Sequence, residues 1–118
     1  MRATALHEYS IVGAMIARIE AEARDRNAVA VRRVRVRIGE LSGVDPDLLA
    51  SAYSIFRERS VCEGAELSIE RVQARWQCAA CGEAGVSDGY FRCRNCGGTA
   101  KLVQGDEIIL QQIEMEVA

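Results

Sequence analysis

The sequence predicts an α/β (α+β) fold: a three-stranded sheet with two helices on one face, from which a four-cysteine zinc-ribbon lobe protrudes. Three observations predict it. Two segments carry apolar residues at helical spacing, and three carry the alternation of a half-buried strand. Between the last two strands lies a glycine-rich stretch with four cysteines in two CxxC pairs.

The first helix is expected over 10–26, where Val12, Met15, Ile16, Ile19 and Ala23 form one apolar stripe. Arg18, Glu22 and Arg26 face elsewhere at i,i+4 spacing, and Asn27 suits the stop. The first strand is expected over 29–39, with Val34, Val36 and Ile38 alternating with Arg33, Arg35 and Arg37. A glycine-containing loop, 39–45, follows. Asp45-Pro46 then opens a second helix, Asp45 as N-cap and Pro46 in the first turn, with Leu48, Leu49, Ala52, Ile55 and Phe56 as its buried face and a stop near Ser60. Strands are expected over 65–75 and 106–117. Residues 76–101 lose all helical periodicity, so the chain divides into 1–75 with 102–118 and an inserted lobe, 76–101.

In that lobe, Cys78-Ala-Ala-Cys81 and Cys93-Arg-Asn-Cys96 supply four thiolates at the spacing of a tetrahedral metal site. Gly82 follows one pair and Gly97-Gly98 the other, which lets the backbone turn tightly and aim N–H groups at sulfur. Four thiolates leave no open position, so the expectation is structural zinc. A rubredoxin-like iron site has the same ligands. Cys62 reads as a small apolar residue after the second helix, and Trp76, Tyr90 and Phe91 as packing for the knuckles.

Composition bounds the function. The 118 residues are 49% hydrophobic and 27% charged, which suits one folded unit with an appendage. No apolar run approaches the ~18 to 20 residues that span a bilayer, so no membrane role is expected. His7 and Glu8 interrupt the N-terminus before any export signal could form, and five cysteines in this pattern suit a reducing cytoplasm. Fifteen basic against seventeen acidic side chains argue against nucleic acid. The one basic strip, Arg32, Arg33, Arg35 and Arg37, has Glu66, Glu70, Glu114 and Glu116 on neighbouring strands and reads as a charge-paired, solvated face. A zinc-ribbon module binding nucleic acid or protein is the alternative reading of strip and lobe together. An enzyme is not expected: His7 is the lone histidine, and no phosphate loop GxxxxGK[ST] occurs.

The ordered motifs resemble a known family. His7-Glu8-Tyr9-Ser10-Ile11-Val12, Ile38-Gly39-Glu40-Leu41-Ser42-Gly43-Val44-Asp45-Pro46, Cys62-Glu63-Gly64-Ala65-Glu66-Leu67, the CxxC pairs and Gly105-Asp106-Glu107-Ile108 are similar to HypA/HybF, the hydrogenase nickel-insertion proteins. The resemblance implies a cytoplasmic nickel metallochaperone, a monomer or homodimer, with a structural zinc lobe. It implies nickel(II) at His7 and Glu8, through imidazole and backbone nitrogens, with Asp45 as contributor beside its capping role. It implies delivery to the large-subunit precursor of [NiFe]-hydrogenase with a partner GTPase; some members also serve urease. Members begin Met-His-Glu, whereas here five residues precede Leu6. A displaced terminal amine would leave coordination to the His7 imidazole with nearby amides or Glu8. The expectation offered is that Leu6 marks the true start, and an intact mass that includes Arg2 to Ala5 would refute it.

Overall fold

The structure, a computed structural model, describes residues 3–82, 84–85, 92–93 and 95–118. Tyr90 and Phe91, expected to pack the knuckles, lie outside those residues.

Helix α1 spans Ala3–Asp25 and so begins about two turns earlier than the apolar stripe alone suggests. Alanine, leucine and glutamate dominate that start and no glycine or proline precedes Gly13, so nothing stops helix propagation there. The stripe Val12, Met15, Ile16, Ile19 and Ala23 is buried throughout. The helix stops where Asn27 turns left-handed at φ 53°, a conformation asparagine tolerates.

Strand β1 (Ala28–Gly39) is central in the sheet β2–β1–β6. It pairs parallel with β2 (Glu66–Val72) and antiparallel with β6 (Ile108–Val117). The parallel pair requires a crossover, which α2 (Pro46–Phe56) provides. An irregularity in the β1–β6 register between Val31 and Arg33 lets both Val31 and Val34 face the core. The core joins α1, the inward side of β1, and Leu49, Ala52 and Tyr53 of α2.

Two expected core positions are not in the core. Ile55 and Phe56 are 59% and 44% exposed. Ile55 falls on the flank of α2, away from Leu49 and Tyr53, and Phe56 sits in the last turn, where its ring meets Tyr9 edge-on at 5.7 Å. The turn after α2 is held by Ala65 O, which accepts from Tyr53 Oη at 3.0 Å and Arg57 Nη1 at 3.1 Å.

The second strand ends at Val72, earlier than expected. The chain leaves the first sheet at Gln73–Ala74 and enters a second one, β4–β3–β5, built from Arg75–Cys78 (β3), Ala84–Gly85 (β4) and Ala100–Gln104 (β5). It returns through Gly105–Glu107. The molecule is long and thin, 56 × 37 × 17 Å, with a radius of gyration of 17.9 Å. A compact chain of this length would have ~13 Å, so the cysteine lobe stands away from the α/β body.

Candidate metal sites

The cysteine lobe brings two knuckles together beside the second sheet. β3 delivers Cys78 at its end, and the turn after it delivers Cys81; Cys93 and Cys96 come from the turn before β5. All four Sγ atoms lie within 4.8 Å of one another, with Cys78 to Cys96 at 3.4 Å and Cys81 to Cys93 at 3.8 Å. A tetrahedral ion with metal–sulfur bonds of ~2.3 Å needs edges of ~3.8 Å, so the group fits one ion.

Backbone N–H groups point at the sulfurs. Cys78 Sγ accepts from Ala80 and Cys81, Cys93 Sγ from Asn95, and Cys96 Sγ from Gly98, all at 3.3–3.4 Å. Space at Gly98 is tight: a Cβ there would stand 3.1 Å from Ala80 Cβ and 3.3 Å from both Cys78 Sγ and Cys96 Sγ, so these neighbours would have to give by a few tenths of an ångström. The Cys81 and Ala80 N–H groups pull the Cys78 thiol down to about 6. At Cys96 the Gly98 N–H acts in the same direction, but the crowded sulfurs of Cys78, Cys81 and Cys93 outweigh it and push that thiol up to about 12. The spread is that of neighbouring thiols coupled through shared hydrogen bonds: Cys78 ionises readily and Cys96 only against a cation.

The N-terminal residues are arranged differently. His7 lies in the second turn of α1 with an exposed side chain. Glu8, on the next position of the helix, is 0% exposed. Its Oε2 accepts from the Asp45 backbone N–H at 2.6 Å, while Oε1 is buried without a hydrogen-bond partner. Asp45 is exposed and caps α2, its Oδ1 accepting from Asp47 and Leu48 N–H at 2.9 and 3.3 Å. The structure therefore joins Glu8 to Asp45 through the backbone. It does not gather His7, Glu8 and Asp45 into one ligand cluster; among the described residues the four cysteines form the sole such group. Nor are the His7 and Glu8 amides free, because α1 already includes them.

Sequence reasoning missed the burial of Glu8. The signal was present: Glu8 is four residues before Val12 and continues the stripe of Val12, Met15, Ile16 and Ile19. The arginine strip is largely charge-paired. Arg32 meets Glu116 at 2.7 Å, Arg33 meets Glu114 at 3.8 Å and Arg37 meets Glu70 at 3.5 Å, while Arg35 lies opposite Ser68 and Gln112. This solvated face is not a free cationic surface for phosphate.

Comparison with known proteins agrees with this architecture. The family described as "Hydrogenase/urease nickel incorporation, metallochaperone, hypA" matches residues 6–115. The hydrogenase maturation factor HypA of Aquifex aeolicus is 39% identical, over 95% of this chain and 99% of its own. That of Wolinella succinogenes is 40% identical, over 94% and 96%. The solution structure of the Ni metallochaperone HypA from Helicobacter pylori superposes with a TM-score of 0.70 at 35% identity, covering 94% of this chain and 98% of that one. A second HypA solution structure gives 0.75 at 35%, covering 96% and 98%. With its two helices, three-stranded sheet and four-cysteine lobe, this chain belongs to the HypA family of nickel metallochaperones, the hydrogenase maturation factors.

Proposed function

We propose that this protein carries nickel(II) to the large-subunit precursor of [NiFe]-hydrogenase in the cytoplasm, together with a nickel-handling GTPase. One observation supports the reading most: beside the closed four-cysteine group the chain carries an exposed imidazole, His7. The four cysteines close a tetrahedron, with N–H donors on three sulfurs. His7 is an exposed imidazole on the helix whose next residue, Glu8, holds the Asp45 loop. A caged ion exchanges slowly, and a few exposed ligands release theirs, which a carrier requires.

The cage is assigned to zinc, bound by Cys78, Cys81, Cys93 and Cys96. Zinc bound there cross-links the lobe of residues 76–101 without an open position for chemistry. Nickel is the cargo, taken by the His7 imidazole with Asp45 and Glu8 as contributors. Glu8 contributes by holding the Asp45 loop, because its buried carboxylate accepts from Asp45 N–H. The reading includes no catalytic residue.

Metal analysis and nickel titration test it together. The protein is expected to hold one zinc and to take up one further nickel. His7→Ala is expected to keep the zinc and lose the nickel. Unchanged nickel uptake by His7→Ala would refute the carrier site, and a coloured protein with iron in the cage would refute the zinc assignment.

A further inference from the structure

The α/β body and the cysteine lobe are connected by two crossings, Gln73–Ala74 outward and Gly105–Glu107 on return. Among the described residues, no strand of the lobe packs extensively on a helix or strand of the body. A crevice of about 390 Å³, lined by residues such as Arg37, Leu102, Val103 and Ile109, opens beside the crossings, so side-chain packing does not weld the two parts there. What fixes the lobe is a joint at the start of the 39–45 loop.

Three backbones stack in that joint. A Cβ on Gly39 would lie 2.3 Å from the Gly105 carbonyl, and one on Gly105 would lie 2.6 Å from Ala74 Cα. Backbone hydrogen bonds tie the loop to both crossings. Gly39 N–H donates to Glu107 O at 2.8 Å, Glu40 N–H to Val72 O at 2.8 Å, and Leu41 N–H to Gly105 O at 2.7 Å. The side-chain link is Glu40, whose Oε1 accepts from Ala74 N–H at 2.8 Å although the residue is largely exposed. Ala74 is 8% exposed, and its N–H has left the first sheet. An exposed carboxylate folded back onto the one residue that begins the lobe carries out a task that solvation alone would not demand.

We propose that Glu40 is a positioning residue: its carboxylate clasps the outward crossing at Ala74 and fixes the orientation of the cysteine lobe relative to the loop that ends in Asp45. Gly39 and Gly105 bring the backbones close enough for that clasp, and Leu41 N–H secures the return crossing. Without the clasp the outward crossing keeps the Glu40 N–H bond to Val72 O and the Gln104 Nε2 bond to Gln73 O, neither of which ties Ala74 to the body, and the lobe swings about Gln73–Ala74. This holds whichever metal occupies the cage and whether or not nickel binds at His7.

The test is backbone 15N relaxation on the full metal-loaded chain, comparing wild type with Glu40→Gln, Glu40→Ala and Glu40→Asp. Glutamine keeps an acceptor at the same reach; aspartate keeps the charge and falls short by one methylene. In wild type and Glu40→Gln, the amides of β3 and β5 are expected to show the order parameter of a rigid backbone, about 0.85, in one frame with the body. In Glu40→Ala and Glu40→Asp they are expected to fall below about 0.6 in that frame, with one metal per chain retained. Should Glu40→Ala not fold, Glu40→Asp against Glu40→Gln decides alone. A lobe that stays rigid in Glu40→Asp, even with a lower unfolding midpoint, overturns the proposal, as does equal loosening by Glu40→Gln.

Discussion

Single residues carry the sharpest consequences of the burial pattern. Glu8 is a carboxylate at 0% exposure with one oxygen satisfied and one orphaned. Removing it leaves the Asp45 N–H without its acceptor and opens a void, so Glu8→Ala should cost about 2–3 kcal/mol. Glu8→Gln keeps an acceptor for Asp45 and no longer buries a charge, so it should stay within about 1 kcal/mol of wild type. Urea unfolding distinguishes them; equal losses in both would mean that the charge is what the site requires. Cys62 gives a pH dependence. Burial pushes its thiol above the ordinary 9.0, and burial likewise raises its neighbour Tyr53 far above the ordinary phenol range. Both groups favour the folded state when protonated. Their contribution is complete below the unfolded values and is lost as pH rises above them. Stability should therefore be level up to about pH 8 and decline by about pH 10.5, with a smaller decline in Cys62→Ala. Equal unfolding midpoints at the two pH values would refute it. Sequence alone marked Cys62 as a small, semi-buried apolar residue, but it did not mark Glu8 as buried. Glu8 was readable at helical spacing only once α1 was known to start before it.

At the scale of elements, apolar periodicity was a faithful guide and its limits are physical. The stripe of α1, the alternation of β1 and the Asp45-Pro46 start of α2 are local patterns, and each element lies where its pattern places it. The extra turns of α1 carry no stripe beyond Glu8, so periodicity could not see them. Ile55 and Phe56 are apolar, yet Ile55 lies on the flank of α2 and Phe56 in its last turn, where the body does not cover them. The β1–β6 irregularity that buries both Val31 and Val34 depends on a strand more than seventy residues away. Asp45 connects the element scale to function because it caps α2 and lies on the loop that Glu8, the neighbour of His7, holds. Asparagine is as good a cap as aspartate, whereas alanine is not. Asp45→Ala should cost about 1 kcal/mol, and Asp45→Asn should leave stability within a few tenths of wild type. If the carboxylate also contributes to nickel, Asp45→Asn should weaken nickel binding with an unchanged unfolding midpoint. Nickel binding in Asp45→Asn as tight as in wild type would leave Asp45 with the cap alone.

For the whole molecule, the decisive fact is that the two parts are stabilised by different means. The body has a contiguous core reaching from Val12 to Met115. In the lobe, the buried apolar positions among the described residues reduce to Cys78 and Ala100, with Ala74 at the joint. Too little apolar surface is buried there to offset the entropy of ordering the chain, so the metal must act as the core. The four-cysteine group was legible in the sequence, because its two CxxC pairs have metal-ligand spacing. The Gly39, Gly105 and Ala74 stack was not legible, since it unites segments about thirty residues or more apart and glycine gives no pattern of its own. The prediction is that chelating the cage metal abolishes the amide dispersion of β3 and β5 while the far-ultraviolet signal of α1 and α2 persists. The 15N correlation spectrum and circular dichroism of one chelated sample measure both. Loss of helix in step with the lobe would show that the body depends on the cage, and that the core from Val12 to Met115 does not suffice.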